Sequence, residues 1–360
     1  MPPDRPAPAP GLGHAQIADH NSRTILEALR RNGPMTRVEL AALTGLTAPG
    51  VTNVTRRHLA DGLIVEGQRR TQNAQVPSAE YALRPDGAFS IGMRFRAGAV
   101  EAVLVDLGGA VHARRFRPSA GVEAAAEVVD ALAAEAGEAA NLIGIGLAVD
   151  NYDGPILQAL RAALPGRLVV AELDTVAAVL AERQVGAGVP DSGMVMVLLE
   201  ERIRAGLFLH SIPFAGVHGR AGRIGDMRTG RDRQPLNAVC CAAAFAAAGD
   251  RGAEAVEAWI AAAAEHLLDA LTAIAGFVAP GKIVLAGDLP ADVMQALIDA
   301  MRRNWESQTP ESPPPPLPPV AVASFPGDSV LLGAALLPFF EMLLPKPFPA
   351  EMSAERARRG

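Results

Sequence analysis

The hydrophobic periodicity of this chain of 360 residues changes near residue 88. Before that point the apolar residues follow a helical period. After it, short apolar runs of strand length alternate with longer helical stretches, so periodicity alone predicts an α/β class for the larger part of the chain. The expected strands are 89–95, 100–106, 111–116, 143–149, 169–172, 194–199, 205–210, 282–286 and 320–324, and the expected helices are 122–136, 154–163, 175–183, 253–278, 291–305 and 328–344.

The first 86 residues follow another order: helix, helix, turn, helix, then two strands around a polar loop. Thr36 suits the start of the second helix because Glu39 follows three residues later. Thr47 precedes a third helix that has Pro49 in its first turn, and residues 44–46, Thr-Gly-Leu, form the turn between the two helices. This order is typical of a winged helix-turn-helix, whose third helix enters the major groove of DNA.

The third helix and the hairpin tip carry the residues predicted to contact DNA. Threonine, asparagine and arginine side chains suit base edges and phosphates. Between residues 21 and 85, nine arginines stand against five acidic residues in a chain of net charge −6, which favours a nucleic-acid partner for this segment. A helical adaptor with solvated arginines is the alternative. The predicted DNA-binding residues are Thr47, Thr52, Asn53, Arg56, Arg57, Arg69 and Arg70.

Composition divides the chain into four expected segments. They are a flexible Pro- and Ala-rich N-terminus (1–19), a winged helix-turn-helix domain (20–86), an α/β body (87–345) and a C-terminal tail (346–360). Cys240 and Cys241 are adjacent, so we expect neither a disulfide nor a four-thiolate zinc site and predict a reducing, cytoplasmic location. No apolar run is expected to approach the length of a membrane span, and no membrane partner is predicted.

From Asn21 to Thr47 the chain resembles the heads of repressors of the ROK family (repressors, open reading frames, kinases). Those heads read N-x-x-x-I-L-x-x-L-R-x-x-G-P-x-S-R-x-E-L-A-x-x-T-G-L-S, and Arg37, Glu39 and Leu40 coincide with that pattern. The repressors often have Gly-Arg-Pro in the wing. Residues 75–77 here are Gln-Val-Pro, so the resemblance does not extend to a minor-groove arginine there.

The stretch Val197–Met227 resembles the core of the same family without a gap. The family pattern is V-x-L-G-T-G-I-G-A-G-L-V, followed further on by G-A-A-G-E-I-G-H-M. The resemblance implies a duplicated actin/hexokinase-like α/β body of two lobes, each with three strands followed by a helix. It also implies a homodimer or homotetramer that senses a sugar or sugar phosphate. The retained residues are Ala205, Gly206, Gly219, Ala221, Gly222, Ile224, Gly225 and Met227.

The phosphate-binding glycines of a ROK sugar kinase are replaced in this chain. Phosphoryl transfer needs a glycine-lined cradle, a metal-binding acid and a catalytic base. Arg94 and Arg96 occupy the first cradle, where long side chains fill the space that phosphate needs. The second cradle contains alternating charges that we interpret as pairs on a solvated hairpin: Glu200, Glu201, Arg202 and Arg204.

Four residues align with catalytic or sugar-contacting positions of the family. Asp174 stands where the catalytic base would be, and we favour a helix N-cap for it over catalysis. Arg223 replaces a glutamate and reverses the local charge, which predicts an anionic ligand over a neutral hexose. An Arg223–Asp226 pair closing an empty cleft is the alternative. The predicted ligand-binding residues are Asp174, Arg223, Asp226 and Asn237.

These residues predict a DNA-binding transcriptional regulator of the repressor kind, with a catalytically inactive body. The family's zinc cysteines are absent, so neither a metal nor a cofactor is expected. The predicted partners are a double-stranded DNA operator, a sugar or sugar-phosphate effector and a second copy of the chain. An ATP-dependent sugar kinase is the alternative, supported by Asp174 alone, and a regulator that has lost its effector is a third hypothesis.

Overall fold

The structure is a computed structural model that describes residues 14–70, 78–137, 140–152, 154–188, 193–209, 212–214, 216–217, 220–307 and 317–346. The expected C-terminal tail lies outside the described residues except for Lys346, as do residues 1–13 of the expected flexible N-terminus. The described residues form a small N-terminal head followed by a larger body of two lobes.

The head consists of three helices and an antiparallel three-stranded sheet in which β3 lies between β1 and β2. Its hydrophobic core includes Ile25, Leu29, Leu40, Val51 and Tyr81, all fully buried. The elements are α1 (His14–Asn32), β1 (Met35–Thr36), α2 (Arg37–Thr44), α3 (Ala48–Ala60), β2 (Ile64–Arg70) and β3 (Ser78–Leu83).

Local sequence signals explain where these helices begin and end. Thr36 and Glu39 form the predicted capping box at the start of α2, and Gly45 ends that helix in the left-handed conformation at φ 70°. The Thr47 side chain caps α3 by accepting a hydrogen bond from the Gly50 N–H. The first helix, however, starts at His14 and so reaches into the segment expected to be flexible. In this segment, the exposed Asp19 forms an ion pair with Arg23, one helical turn later.

The first lobe of the body is a mixed five-stranded sheet of order β6-β5-β4-β7-β8. Strands β4, β5 and β6 form an antiparallel meander, whereas β7 and β8 run parallel to β4. The elements are β4 (Phe89–Arg96), β5 (Ala99–Asp106), β6 (Val111–Arg117), α4 (Val122–Ala136), β7 (Leu142–Val149), α5 (Ile156–Ala163), β8 (Val169–Leu173) and α6 (Asp174–Val185).

The second lobe repeats this order as β11-β10-β9-β14-β15, again with three antiparallel strands and two parallel ones. The duplicated α/β fold predicted from the resemblance is therefore confirmed. The elements are β9 (Met194–Leu199), β10 (Arg204–Leu209), β11 (Ile212–Phe214), β12 (Arg228–Thr229), β13 (Gln234–Pro235), α7 (Leu236–Cys240), α8 (Ala242–Gly249), α9 (Ala253–Val278), β14 (Lys282–Gly287), α10 (Ala291–Glu306), β15 (Val320–Val322) and α11 (Ser329–Met342).

Helices α6 and α11 pack against each other between the two sheets. Gly333 of α11 lies so close to α6 that an added Cβ would come within 1.7 Å of the Ala177 carbonyl oxygen. Gly146 of β7 faces Ala334 of α11 in the same way, at 1.8 Å. Only glycine permits such approaches of backbone to backbone, so these residues hold α6 at a fixed place beside the cleft between the lobes.

Helix α9 corrects one expectation from the sequence. By length and composition it is apolar enough to cross a membrane, although no apolar run of that length was expected. In the structure Leu267, Leu268 and Leu271 are buried in the core of the second lobe. We therefore interpret α9 as a core helix of the second lobe. A buried core helix can be as long and as apolar as a helix that crosses a membrane.

Candidate functional site

The outer face of α3 presents polar side chains, as predicted. Asn53 and Arg56 are exposed, and among the described residues neither side chain has a hydrogen-bond or ion-pair partner. Two predicted DNA-binding threonines use their hydroxyls within the helix. Thr47 is the N-cap, and Thr52 Oγ1 donates to the Ala48 carbonyl at 2.9 Å. Asn53 and Arg56 are thus the side chains of this face that the fold itself does not need.

Arg57 points back towards α1, unlike Arg56. Its guanidinium donates a hydrogen bond to Ser22 Oγ, although the residue remains exposed. Arg69 and Arg70 end β2, paired with Ala79 and Ser78 of β3, at the place expected of a wing. Their side chains and the loop of residues 71–77 lie outside the described part of the chain. The structure therefore positions the two wing arginines by their backbone alone.

His58 is a buried residue of α3 that the sequence did not single out. Its Nε2 lies 3.0 Å from the Ser22 carbonyl oxygen, and its Nδ1 has no hydrogen-bond partner among the described residues. Burial lowers the pKa of His58 below its usual 6.5, while the hydrogen bond to Ser22 acts in the opposite direction. The folded head therefore disfavours protonation of this imidazole.

This burial predicts an acid-sensitive head. Below pH 6.5 the unfolded chain takes up a proton that folded His58 resists, so the free energy of unfolding should fall as pH is lowered through 6.5. Thermal unfolding of the wild type and of His58→Gln between pH 8 and pH 5 measures the effect. The glutamine variant should show a shallower decline, and parallel declines in the two proteins would contradict the prediction.

A cavity of about 350 Å³ opens between the lobes of the body and brings together all four predicted ligand-binding residues. It lies beside the N-terminus of α6, the start of β10 and the turn that precedes β12. The residues of its lining that the sequence did not assign to a ligand include charged and amide side chains: Asp150, Asn151, Arg202, Arg204 and Arg220.

Asp174 is not the N-cap of α6; that position belongs to Leu173, and Asp174 is the first residue of the helix. Its carboxylate forms an ion pair with the Arg204 guanidinium and accepts a hydrogen bond from the Thr175 N–H at 2.6 Å. Burial raises the pKa of Asp174 to about 7, although Arg204 acts to lower it. The N-cap interpretation is thus wrong. Asp174 instead forms an ion pair with Arg204 in the lining of the cavity.

Arg223, Asp226 and Asn237 form a second connected group in the lining of the cavity. Arg223 Nη2 lies 3.1 Å from Asp226 Oδ2, and Asn237 Nδ2 lies 3.3 Å from Asp226 Oδ1. Asn237 Oδ1 also accepts a hydrogen bond from the Ile203 N–H at 2.7 Å, so this amide fixes the chain just before β10. The alternative to ligand binding was an Arg223–Asp226 pair that closes an empty cleft. This pair exists, but both side chains are exposed and the cavity beside them is open.

The residues at the two cradle positions of the kinase pattern form an ion-pair network between the lobes. Arg94 donates to Glu101 at 2.6 Å within the first lobe and to Glu200 at 2.8 Å in the second. Arg96 reaches Asp288, which follows β14. Burial acts to lower the pKa of Arg94, but Glu200 and Glu101 outweigh it and raise that pKa above its usual value.

Glu200 corrects the interpretation of the second cradle. It is 4% exposed, so the carboxylate is buried rather than placed on a solvated hairpin. Arg204 lies 3.3 Å from it within the hairpin, but the shorter contact crosses the cleft to Arg94. Arg94, Arg96 and Glu200 also line a second cavity of about 260 Å³. The residues that it shares with the first cavity are Asp150, Asn151, Asp174, Arg202 and Arg204.

Among the described residues, no group of three or more His, Cys, Asp or Glu side chains is placed so that it could hold a metal ion. Cys240 and Cys241 are free thiols at the junction of α7 and α8, and both are buried. Burial raises the pKa of Cys240, which makes its thiol a poor metal ligand and a poor nucleophile.

The head is attached to the body through α1. Arg30 of α1 donates to the backbone oxygen of Gln184 at 3.0 Å and to its side-chain oxygen at 2.6 Å, in the last turn of α6. Arg23 donates to three carbonyl groups at or just beyond the end of α11: Phe340, Glu341 and Leu344. The hydrophobic core of the head is also continuous with that of the body, so the head and the body are packed as one unit.

Comparison with known proteins adds two matches at the level of sequence. Residues 19–65 match the domain family described as winged helix-turn-helix DNA-binding. A relative from Sinorhizobium fredii (strain NBRC 101917 / NGR234), the uncharacterized protein y4fQ, is 29% identical and aligns over 89% of this chain and 91% of its own length.

Solved structures share the fold at low sequence identity. A ROK family transcriptional regulator, described as a homolog of the E. coli MLC protein, covers 92% of this chain and 99% of its own (TM-score 0.67, 18% identity). A ROK hexokinase from Thermus thermophilus covers 70% and 99% (TM-score 0.54, 22% identity). A ROK family glucokinase from Streptomyces griseus, in complex with glucose and AMPPNP, covers 69% and 99% (TM-score 0.55, 18% identity). The resemblance predicted from the sequence, a winged helix-turn-helix followed by a ROK fold, is confirmed.

Proposed function

We propose that this chain, with its DNA-binding head and ROK-fold body, is a transcriptional regulator that acts as a repressor. The observation that carries the proposal is the exposed face of α3, where Asn53 and Arg56 have no partner among the described residues. Side chains that the fold does not need are available for base edges and phosphates. We assign DNA binding to residues 20–86 and regulation to residues 87–345, in a cytoplasmic protein.

We propose a homodimer or homotetramer, and the way in which such heads read DNA supports the dimer. One recognition helix covers a few base pairs, so two heads on two half-sites multiply the affinity. We propose this assembly from that argument and from the resemblance.

The direct test is capture of operator DNA. Full-length protein is incubated with sheared genomic DNA of its source organism, the bound fragments are sequenced, and affinity is measured on the most enriched fragment. We expect a small set of fragments bound at least a thousandfold more tightly than unrelated DNA at physiological salt, the lower end of the usual specificity range of about 10³–10⁷. Uniform recovery of the genome would contradict a sequence-specific regulator.

We also propose that the body transfers no phosphoryl group. The Arg94–Glu200 contact and the Arg96–Asp288 contact occupy the space where a kinase of this fold needs open glycine loops. The observation that favours the kinase alternative is Asp174, a carboxylate in the cavity whose pKa is raised to about 7 and so suits a general base.

The kinase alternative has a direct test. Calorimetric titration with ATP and Mg²⁺ should show no binding at micromolar affinity, and a coupled assay with a panel of hexoses should show no turnover. Asp174→Asn is the matched control. Turnover in the wild type that disappears in this variant would contradict the proposed inactivity.

Helix α6 connects the cavity of the body to the head. Its first residue, Asp174, lines the cavity, and its last turn carries Gln184, which binds Arg30 of α1. In turn, α1 carries Ser22, which contacts Arg57 and His58 of the recognition helix. We propose that a ligand which displaces Asp174 biases the position of the head through this rigid element.

A further inference from the structure

We propose that Arg23 and Arg30 are positioning residues of the DNA-binding head: through them, α1 makes the angle of the head depend on how the two lobes of the body lie relative to each other. The inference rests on the proposed regulatory function and extends it. A link through α6 alone would pass on the position of one helix, whereas Arg23 adds a second link, to α11.

Both arginines bind the carboxyl end of a helix of the body. The guanidinium of Arg23 donates to three carbonyl oxygens in the last turn of α11 and just beyond it, at 2.9, 3.0 and 3.0 Å. Arg30 donates to the backbone oxygen of Gln184 at 3.0 Å, in the last turn of α6. The last four carbonyl groups of a helix have no partner within it, and a cation there complements the helix dipole. Each arginine is therefore bound to the backbone at the end of one helix.

The two arginines are themselves held in place. Their side chains are 16% exposed for Arg23 and 5% exposed for Arg30, so little water competes for their hydrogen bonds. Glu27 lies 2.8 Å from the Arg30 guanidinium and fixes its orientation. Because two helical turns separate Arg23 from Arg30, both lie on one face of α1. Helix α1 therefore joins the ends of α6 and α11 at a fixed spacing.

Helices α1, α6 and α11 close a triangle. Helices α6 and α11 touch where Gly333 approaches the Ala177 carbonyl oxygen. From this contact the end of each helix that α1 binds, Gln184 or Phe340, lies seven residues further along the chain. The two arginines of α1 are also seven residues apart, so each side of the triangle is about 10 Å of helix. The angle between α6 and α11 cannot change unless α1 moves.

That angle follows the two lobes, because the two helices pack on different sheets. Helix α11 packs on the first lobe, where a Cβ added to Gly92 of β4 would come within 2.0 Å of the Leu331 carbonyl oxygen. Helix α6 begins against the second lobe, where a Cβ added to Gly206 of β10 would come within 2.8 Å of the Thr175 carbonyl oxygen. Such close contacts leave no room for sliding, so each helix moves with its sheet.

Movement of α1 reaches the helix that reads DNA. Ser22 is adjacent to Arg23, and its carbonyl oxygen lies 3.0 Å from His58 Nε2 in α3. Ile25 of α1 and Val51 of α3 are fully buried in one core. Helix α3 therefore turns together with α1, and the geometry of the cleft between the lobes is coupled to the angle at which the head meets DNA.

Hydrogen exchange of the full-length chain, with and without operator DNA, tests this coupling and needs no effector. Coupling between two sites is reciprocal, so DNA bound to the head must alter the cleft. The DNA is the most enriched fragment from the genomic capture, at saturating concentration. Exchange rates of the amides of residues 172–178 and 199–206, beside the cleft, should change by about fivefold or more, the lower end of the usual range for coupled sites. Helix α10, which lines neither cavity, should not respond.

Variants then locate the coupling in the two arginines. Arg23→Met with Arg30→Met opens the triangle but leaves α3 and the wing unchanged, so the variant should bind the operator and protect the amides of α3. Its response at the cleft should fall to that of α10. Each single variant opens one corner and should lose the response too. Thr24→Ala, which removes a hydrogen bond to the His20 carbonyl within α1, is the matched control and should respond like the wild type.

An unchanged cleft in the DNA-bound wild type would overturn the proposal, whether or not the variants fold. A full response at the cleft in the double variant, or in a single variant where the double variant does not fold, would also overturn it, as would loss of the response in Thr24→Ala. Absence of operator binding by the wild type would instead remove the regulatory function, whereas operator binding without a response at the cleft would remove the coupling alone.

Discussion

Replacing Asn53, Arg56, Arg69 and Arg70 together by alanine should abolish specific binding to operator DNA while the protein stays folded. Asn53 and Arg56 lie three residues apart on α3, so they occupy one face of the helix, and neither side chain has a partner among the residues that the structure describes. Loss of a base-reading residue should cost about 1–3 kcal/mol at one operator position. The quadruple variant would lose the base-reading side chains Asn53 and Arg56 together with the sequence-independent contacts of Arg69 and Arg70, so no specific binding should remain.

Single variants distinguish the two kinds of contact. Arg69→Ala and Arg70→Ala, at the end of β2, should weaken binding to all sequences alike and lower the salt slope of log affinity by about one each. Asn53→Ala should instead relax specificity at one base pair. Arg84→Ala, which removes an exposed arginine that follows β3, is the control and should bind normally. Unchanged affinity in the quadruple variant would remove the DNA-binding assignment.

Local signals made much of the fold predictable. The capping box of Thr36 and Glu39 acts within one helical turn, and so does the Thr47 cap, so both can be read from adjacent residues. Helix α4 and helix α9 begin and end at the predicted residues because their apolar periods are long. Strand β11 and helices α7 and α8 are too short for a period to be distinguished.

Contacts between distant residues account for what the sequence could not predict. Arg94 and Glu200 are 106 residues apart, and no local pattern connects them. Glu200 consequently seemed to belong to a solvated hairpin, although the fold buries it. Asp150 and Asn151 did carry a usable signal, since polar residues just beyond the carboxyl end of a parallel strand often line ligand sites.

Arg94→Met should destabilise the protein more than any surface substitution. Arg94 is 8% exposed and is the closest cation to buried Glu200, at 2.8 Å. Removing one partner of a buried ion pair typically costs about 3–5 kcal/mol, because the other charge stays buried without compensation. In Arg94→Met, the Glu200 carboxylate still has the Arg204 guanidinium 3.3 Å away. We therefore expect a loss of stability near the lower end of that range. Urea unfolding of the full-length chain at pH 7.5 measures the difference.

A second substitution tests whether the buried charge is the cause. Adding Glu200→Gln to Arg94→Met removes that charge and should restore most of the lost stability, as expected for two residues in direct contact. Arg117→Met breaks the Arg117–Glu127 pair, whose side chains are 55% and 62% exposed, and should change the free energy of unfolding by less than about 0.5 kcal/mol. A double variant no more stable than Arg94→Met would show that packing rather than charge holds the lobes together there. Stability equal to the wild type in Arg94→Met would show that the ion-pair network across the cleft contributes nothing to the free energy of unfolding.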